Sequence, residues 1–241
     1  MNAQATRTAD SARSWRLRPW PNDPTTAHLV FLDHLTIPTE ETVANATARA
    51  KARGAKRVRT SALFPRAAEV LLAAGYHPID TLALLRLDLL DDQAGSTIPA
   101  SRIATRAMRP WHFGRAAAID VEAFGATWGN NVESLREICR ATPVYRARVV
   151  GQRRRITGFA IVGAAGSNGY LQRLAVHPAG QRGGIGAGLV TDAVEWMRGR
   201  GLSSVLVNTG IDNAPALALY ERFGFRRLSE QLVIAEHRFA L

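Results

Sequence analysis

Leu171, Leu174, Ala175 and Val176 form a short apolar run that Pro178 closes, because proline cannot donate to a strand ladder. From Ile185 onward, Leu189, Ala193, Trp196 and Met197 recur at helical spacing. The pattern predicts a buried strand and a long helix, joined by a turn holding Gly180, Gly183, Gly184 and Gly186. Around this centre the same periodicities predict a first strand at Arg102–Ala107 and helices at Phe113–Phe124 and Val132–Arg140. A hairpin of Val144–Val150 and Ile156–Ala164 is expected, joined by Gly151–Arg155, with the arginines on a solvated tip. After the long helix come a strand at Leu202–Val207, a helix from Ala214, and two strands at Phe225–Leu228 and Gln231–Phe239.

Upstream, residues 13–96 read as a separate unit that ends in the polar stretch Asp91–Thr97, and 97–241 read as a second unit. The first unit is expected to hold a strand at His28–Leu35 and a helix at Thr39–Arg53 capped by Thr39. A strand at Val58–Leu63, a proline-started helix at Pro65–Ala74 and two strands within His77–Leu90 complete it. A helix-turn-helix across Thr42–Leu63 is a rival reading, disfavoured because Val58–Thr60 prefers a strand.

A strand, a glycine turn and a helix start leave backbone N–H groups unpaired, and the helix dipole adds partial positive charge there. Such a place suits phosphate or pyrophosphate. The ATP-binding loop needs a lysine after its last glycine, but the chain's only lysines are Lys51 and Lys56. The dinucleotide fingerprint G-x-G-x-x-G fails as well, because Leu189 stands where its third glycine belongs. What remains is Gln181-x-x-Gly184-x-Gly186 after Val176-His177-Pro178. This resembles the acetyl-CoA pyrophosphate loop of the GCN5-related N-acetyltransferase (GNAT) family. Downstream, Asn213, Ala216, Leu219, Tyr220, Gly224 and Phe225 match in register the family's second motif, N-x-x-A-x-x-L-Y-x-x-x-G-F. The resemblance covers Arg102 to the C-terminus.

The resemblance implies an α/β fold with a mixed, bent sheet and helices on both faces, the GNAT acyl-CoA N-acyltransferase fold. It also implies an acetyl-CoA-dependent N-acetyltransferase. Carried over residue by residue, Leu174, Ala175 and Val176 contact pantetheine through their backbone, and the Val176 N–H polarises the thioester carbonyl. Gln181, Arg182, Gly183, Gly184, Ile185, Gly186 and Ala187 cradle the pyrophosphate. Asn213 contacts acetyl-CoA and can also cap the helix begun by Ala214 and Pro215. Tyr220 is the expected general acid: a phenol at about 10 and a thiol at about 8.5 lie within a couple of units. Some relatives place a basic glutamate five residues before the motif asparagine, and here that position is Asn208. Glu122 and Glu133 are the remaining candidates for the base. The acceptor implied is a primary amine on a protein or a small molecule.

Aligned at their glycines, Gly54–Leu89 runs parallel to Gly201–Phe239, and Gly75-Tyr76 falls beside Gly224-Phe225. The first unit therefore resembles a degenerate GNAT half, which makes the chain a pseudo-tandem. Its loop Thr36–Glu41 has no glycine and two carboxylates, and Leu71 stands in the place of Tyr220. Carboxylates would repel a pyrophosphate, so this half is expected to be non-catalytic.

Composition adjusts this picture in few places. A formal charge of +11 and a pI near 11.1 favour anionic partners such as CoA or nucleic acid. No aromatic residues interleave along a basic stripe, which argues against a nucleic-acid module. An acetyl-CoA sensor without catalysis would tolerate loss of Tyr220, which is intact. The single cysteine, Cys139, follows Leu135 at helical spacing and is expected to be a buried structural thiol. His28, His34, His77, His112, His177 and His237 show no ligand spacing, so no metal is expected. No apolar run approaches the length of a membrane span, and the N-terminus lacks a signal-peptide core. A cytoplasmic protein with no membrane contact and a mobile first dozen residues is the expectation.

Overall fold

The computed structural model describes residues 15–33, 36–90, 101–153 and 155–240. The first dozen residues and the expected Asp91–Thr97 linker lie outside them. The chain packs as two compact units, Met1–Ala83 with Glu230–Leu241, and Leu84–Ser229.

In the first unit, β1 (Trp15–Trp20) and β2 (Asp23–Phe31) form an antiparallel hairpin. The apolar pattern had shown only part of β2, because arginine and proline interrupt Trp15–Trp20. Helix α1 (Glu40–Ala52) starts at Thr39, whose hydroxyl accepts from the Thr42 N–H at 3.1 Å. It crosses over to β3 (Arg57–Thr60), which pairs parallel with β2, so the helix-turn-helix reading is overturned. Helix α2 (Pro65–Ala73) follows, then β4 (His77–Asp88), which belongs to this unit as far as Ala83 and to the second from Leu84. β4 is one long strand rather than two, since no residue suited to a tight turn interrupts Thr81–Asp88. Leu29, Val43, Ala46, Val58, Leu71 and Ala235 form the core of this unit.

The second unit contains β5 (Thr105–Ala107), α3 (Phe113–Trp128, broken at Gly125), α4 (Val132–Cys139), β6 (Val144–Gln152), β7 (Arg155–Ala165) and β8 (Asn168–Val176). After them come α5 (Ile185–Arg198), β9 (Ser204–Gly210) and α6 (Ala214–Arg222), and the chain ends in β10 (Arg226–Arg238), which from Glu230 onward belongs to the first unit. β10 is continuous where two strands were expected, because Ser229-Glu230-Gln231 offers no residue that favours a left-handed turn. β5 through β8 pair antiparallel in order, and β9 pairs parallel to β8.

Strand alternation sorts the core onto two faces. Val149, Phe159 and Ala175 pack with Ala116, Ile119, Leu135 and Cys139 from α3 and α4. Val150, Ala160 and Leu174 face the opposite way, toward Leu189 and Ile185 of α5. Cys139 is buried as expected, and burial pushes its thiol up to about 11, which leaves it inert near neutral pH. No helix among the described residues is long and apolar enough to cross a membrane.

The two helix–turn–strand junctions of each half share their hydrogen bonds. Ala55 N–H donates to Ala50 O and Leu202 N–H to Met197 O; Tyr76 N–H donates to Leu71 O and Phe225 N–H to Tyr220 O. Gly54, Gly201, Gly75 and Gly224 all adopt positive φ, between 70° and 83°, at these junctions.

The first unit also buries a charge pair. Arg59 donates to Glu236 Oε2 from Nη2 at 2.6 Å and from Nε at 3.1 Å. Burial raises the Glu236 carboxyl, but hydrogen bonds from Arg238 and Arg59 outweigh it and hold the carboxyl below its usual range. A depressed carboxyl contributes stability at neutral pH that is lost as pH falls through its folded value. Glu236→Ala removes the carboxylate that neutralises the buried Arg59 guanidinium, so urea unfolding is expected to show a loss on the order of 3 kcal/mol. That loss should shrink on acidification.

Candidate active site

The strand register creates the site. β8 pairs with β9 only at Asn168–Tyr170 against Ser204–Leu206, while on its other side it stays paired with β7 through Val176. Beyond Tyr170, β8 therefore has a neighbour on one edge alone. Alternation decides which amides are free there. His177 N–H donates to Thr157 O on the β7 side at 2.9 Å. The Ala175 amide accordingly faces β7, and the N–H groups of Leu174 and Val176 point into the gap. Of the three strand residues named from sequence, two present backbone donors and Ala175 presents a buried side chain.

The turn after β8 begins at Pro178–Gly180, steadied by His177 Nδ1, which accepts from the Ala179 N–H at 3.1 Å. Gln181 reaches back to Val176 O at 3.4 Å. Arg182 is held in a left-handed conformation (φ 62°), uncommon for a residue with a side chain. Gly184 caps α5 with φ 78°, and no side chain caps this helix. The first-turn N–H groups of Ile185, Gly186 and Ala187 are thus left to an outside acceptor. A Cβ on Gly186 would stand 3.2 Å from Leu219 Cδ2 of α6, a tight contact that the end of the Leu219 side chain would have to relieve by a few tenths of an ångström.

Asn213 caps α6: its Oδ1 accepts from Ala216 N–H at 3.3 Å and its Nδ2 donates to Thr209 Oγ1 at 3.0 Å. Tyr220, on the same helix, is 5% exposed, and its ring lies 5.5 Å from that of Phe225. Burial drives its phenol well above the usual value, with Arg173 opposing weakly. The phenol is therefore protonated at any working pH, and its gap to a thiol is wider than ordinary values imply. Its hydroxyl has no hydrogen-bond partner among the described residues.

Glu122 is engaged at both oxygens, by Arg115 Nη1 at 3.0 Å and by His177 Nε2 at 2.8 Å. Because His177 Nδ1 accepts a backbone N–H, its Nε2 carries the proton toward Glu122. Glu133 is exposed in the first turn of α4, and Asn208 is exposed on β9.

Sequence reasoning did not find the staple beneath the gap. Asp120, 0% exposed on α3, accepts from Arg173 Nη2 at 2.6 Å and Nε at 2.8 Å, and from Asn130 N–H at 2.7 Å. Arg173 also lies 3.7 Å from the centre of the Phe124 ring. An arginine inside the apolar run Leu171–Val176 was the available signal, since a charge there requires a buried partner. Among the described residues no cluster of His, Cys, Asp and Glu could hold a metal ion.

Residues 119–225 match the acetyltransferase (GNAT) family. Mycothiol acetyltransferases of Saccharomonospora viridis and Clavibacter michiganensis are 34% identical over 68 residues and 36% over 72. Those segments cover 28% and 30% of this chain, and only 22% and 24% of the relatives' own length. A tandem GNAT protein from the clavulanic acid biosynthesis pathway superposes with TM-score 0.65 at 15% identity, over 93% of this chain and 78% of its own. A GCN5-related N-acetyltransferase from Sphaerobacter thermophilus does so with TM-score 0.62 at 17% identity, over 94% and 77%. At such identities the likeness is one of fold, and the fold is the mixed α/β GNAT fold.

The staple carries a prediction. Asp120→Ala strands the Arg173 guanidinium and is expected to cost on the order of 3–5 kcal/mol in urea unfolding. A loss under about 1 kcal/mol, the scale of a surface pair, would mean that Asp120 does not hold β8 in place.

Proposed function

We infer that this chain, a member of the acetyltransferase (GNAT) family through residues 119–225, moves an acetyl group from acetyl-CoA to a primary amine. The observation that carries the reading is the parting of β8 from β9 beside a helix start that no side chain caps. The free Leu174 and Val176 amides suit an extended pantetheine. Arg182–Ala187 and Gln181 suit its pyrophosphate, and Asn213, the cap of α6, suits a further contact to acetyl-CoA. Gly186 supports the fit, because a side chain there would fill the space between helix start and α6.

The reaction is direct attack within a ternary complex. The neutral amine nitrogen bonds to the thioester carbonyl carbon, and charge gathers on the carbonyl oxygen. The Val176 N–H stabilises that charge as an oxyanion-hole donor. Collapse breaks the carbon–sulfur bond, and the thiolate leaves toward the Tyr220 hydroxyl. A phenol raised by burial is a weak acid but a permanent donor, so Tyr220 acts by hydrogen-bonding the departing sulfur, and the proton it passes to the thiolate is replaced by the one the amine nitrogen sheds.

The nitrogen must shed its own proton. Asn208 cannot accept it, Glu122 is occupied by Arg115 and His177, and Glu133 stands on the exposed face of α4. An ordered-water path and an amine of low pKa fit this set best. At pH 7 about one lysine side chain in 2,000 is neutral, against roughly one α-amine in six. The first unit, with Leu71 at the position of Tyr220, is a degenerate half-repeat supported by the shared junction hydrogen bonds.

Calorimetric titration with acetyl-CoA is expected to show binding that Gly184→Asp/Gly186→Asp abolishes. Failure of the folded wild-type protein to bind would contradict the assignment. With an amine acceptor, Tyr220→Phe should lower kcat about 100-fold or more while acetyl-CoA affinity stays the same. Because the folded phenol is raised above its ordinary value of 10.0, kcat should show no alkaline fall near that pH. A fall there would place the phenol in a wetter setting than the structure gives it.

A further inference from the structure

A cavity of about 790 Å³ lies between the β6–β7 hairpin tip and the start of α3, and none of the residues lining it is among those assigned to acetyl-CoA. Arg106, Arg109, Trp111, His112, Gln152, Arg153 and Arg155 form its wall with Ala107. Four guanidinium groups share this wall and no carboxylate lines it. None of the four pairs with an acid among the described residues. Like charges gathered this way repel one another unless an anion sits between them.

The frame around them is built. Arg153 is held left-handed at φ 47°, and its carbonyl accepts from Arg106 Nη2 at 2.8 Å and from His112 Nε2 at 2.9 Å. On its other ring nitrogen, buried His112 accepts the Arg109 N–H at 2.8 Å. One imidazole thus fixes the backbone of two arginines, and a strained residue is kept in place to do so. Arg106 Nε is buried without a partner. Burial lowers the His112 imidazole, its bond to the Arg153 carbonyl raises it, and the neighbouring charges of Arg106 and Arg109 lower it.

Trp111 makes the site more than an anion trap. Its indole is 58% exposed on the cavity wall, a large aromatic face left to solvent beside the guanidinium groups. Guanidinium forks match phosphate oxygens two at a time, and an exposed indole stacks on a flat base. We propose that this cavity binds a nucleotide, its phosphates held by Arg106, Arg109, Arg153 and Arg155 and its base stacked on Trp111. The nucleotide comes either free or as the phosphorylated end of a single strand, and the chemistry of recognition is the same.

The test titrates the full chain with ADP, a 5′-phosphorylated single-stranded oligonucleotide, inorganic pyrophosphate and acetyl-CoA. Wild type, Arg109→Gln/Arg155→Gln and Trp111→Ala are compared, with circular dichroism confirming the fold of each. ADP or the oligonucleotide should bind, whichever is tighter naming the source. Both variants should weaken that binding about tenfold or more, while acetyl-CoA affinity stays unchanged. No binding of either nucleotide probe, or binding that the arginine variant leaves intact, overturns the proposal. Pyrophosphate binding as tightly as ADP, with Trp111→Ala silent, overturns it too, because the site would then recognise phosphate alone. An equal loss of acetyl-CoA affinity in the arginine variant would assign the cavity to acetyl-CoA itself and end the proposal while leaving the transferase reading intact.

Discussion

Two parallel strands that begin paired and then part impose the constraint on which the site depends. Where β8 leaves β9, its outward amides lose their ladder partners and are left to water or to a ligand. The chain tolerates this at Leu174 and Val176 only because the other edge of β8 is tied to β7 as far as His177. A ligand with carbonyl and amide groups along an extended arm satisfies those donors, as a neighbouring strand would.

Everything near the gap keeps that edge open. Leu174 faces α5 and Ala175 faces α3 and α4, so the strand is gripped on both faces while its edge stays free. Asp120 draws Arg173 down onto α3 and anchors the strand from beneath. Gly184 starts α5 at a backbone angle that few other residues accept, and Gly186 spares the helix start a tight contact with Leu219 of α6. α6 in turn brings Tyr220 into the same unit, where burial keeps its phenol protonated. Each element acts on charge or hydrogen bonding at one edge of one strand.

Much of this was legible in the residues, and for physical reasons. The glycine loop and the Asn213–Phe225 motif are local: short-range backbone needs dictate residue type at fixed spacing. The helices α1, α2, α5 and α6 fell where caps, prolines and apolar periodicity put them. β1 was missed because its arginines and proline hide alternation, and β4 and β10 were divided because a strand that changes its surroundings loses a single period. The staple and the basic cavity are non-local. Arg173 meets Asp120 across 53 positions, and Trp111 meets the hairpin arginines only after β5, α3 and the β6–β7 tip converge. The interleaving of aromatic and basic residues that the linear chain lacks is created by folding.

The most direct measurement is residue-resolved amide hydrogen exchange by NMR, with and without acetyl-CoA. The alternation along β8 predicts that Leu174 and Val176 exchange fast in the free protein and become protected on binding, together with Ile185, Gly186 and Ala187, while Ala175 stays protected throughout. Binding that leaves the Leu174 and Val176 amides exchanging as before would contradict the account, because the thioester would then lie somewhere other than the gap between β8 and β9.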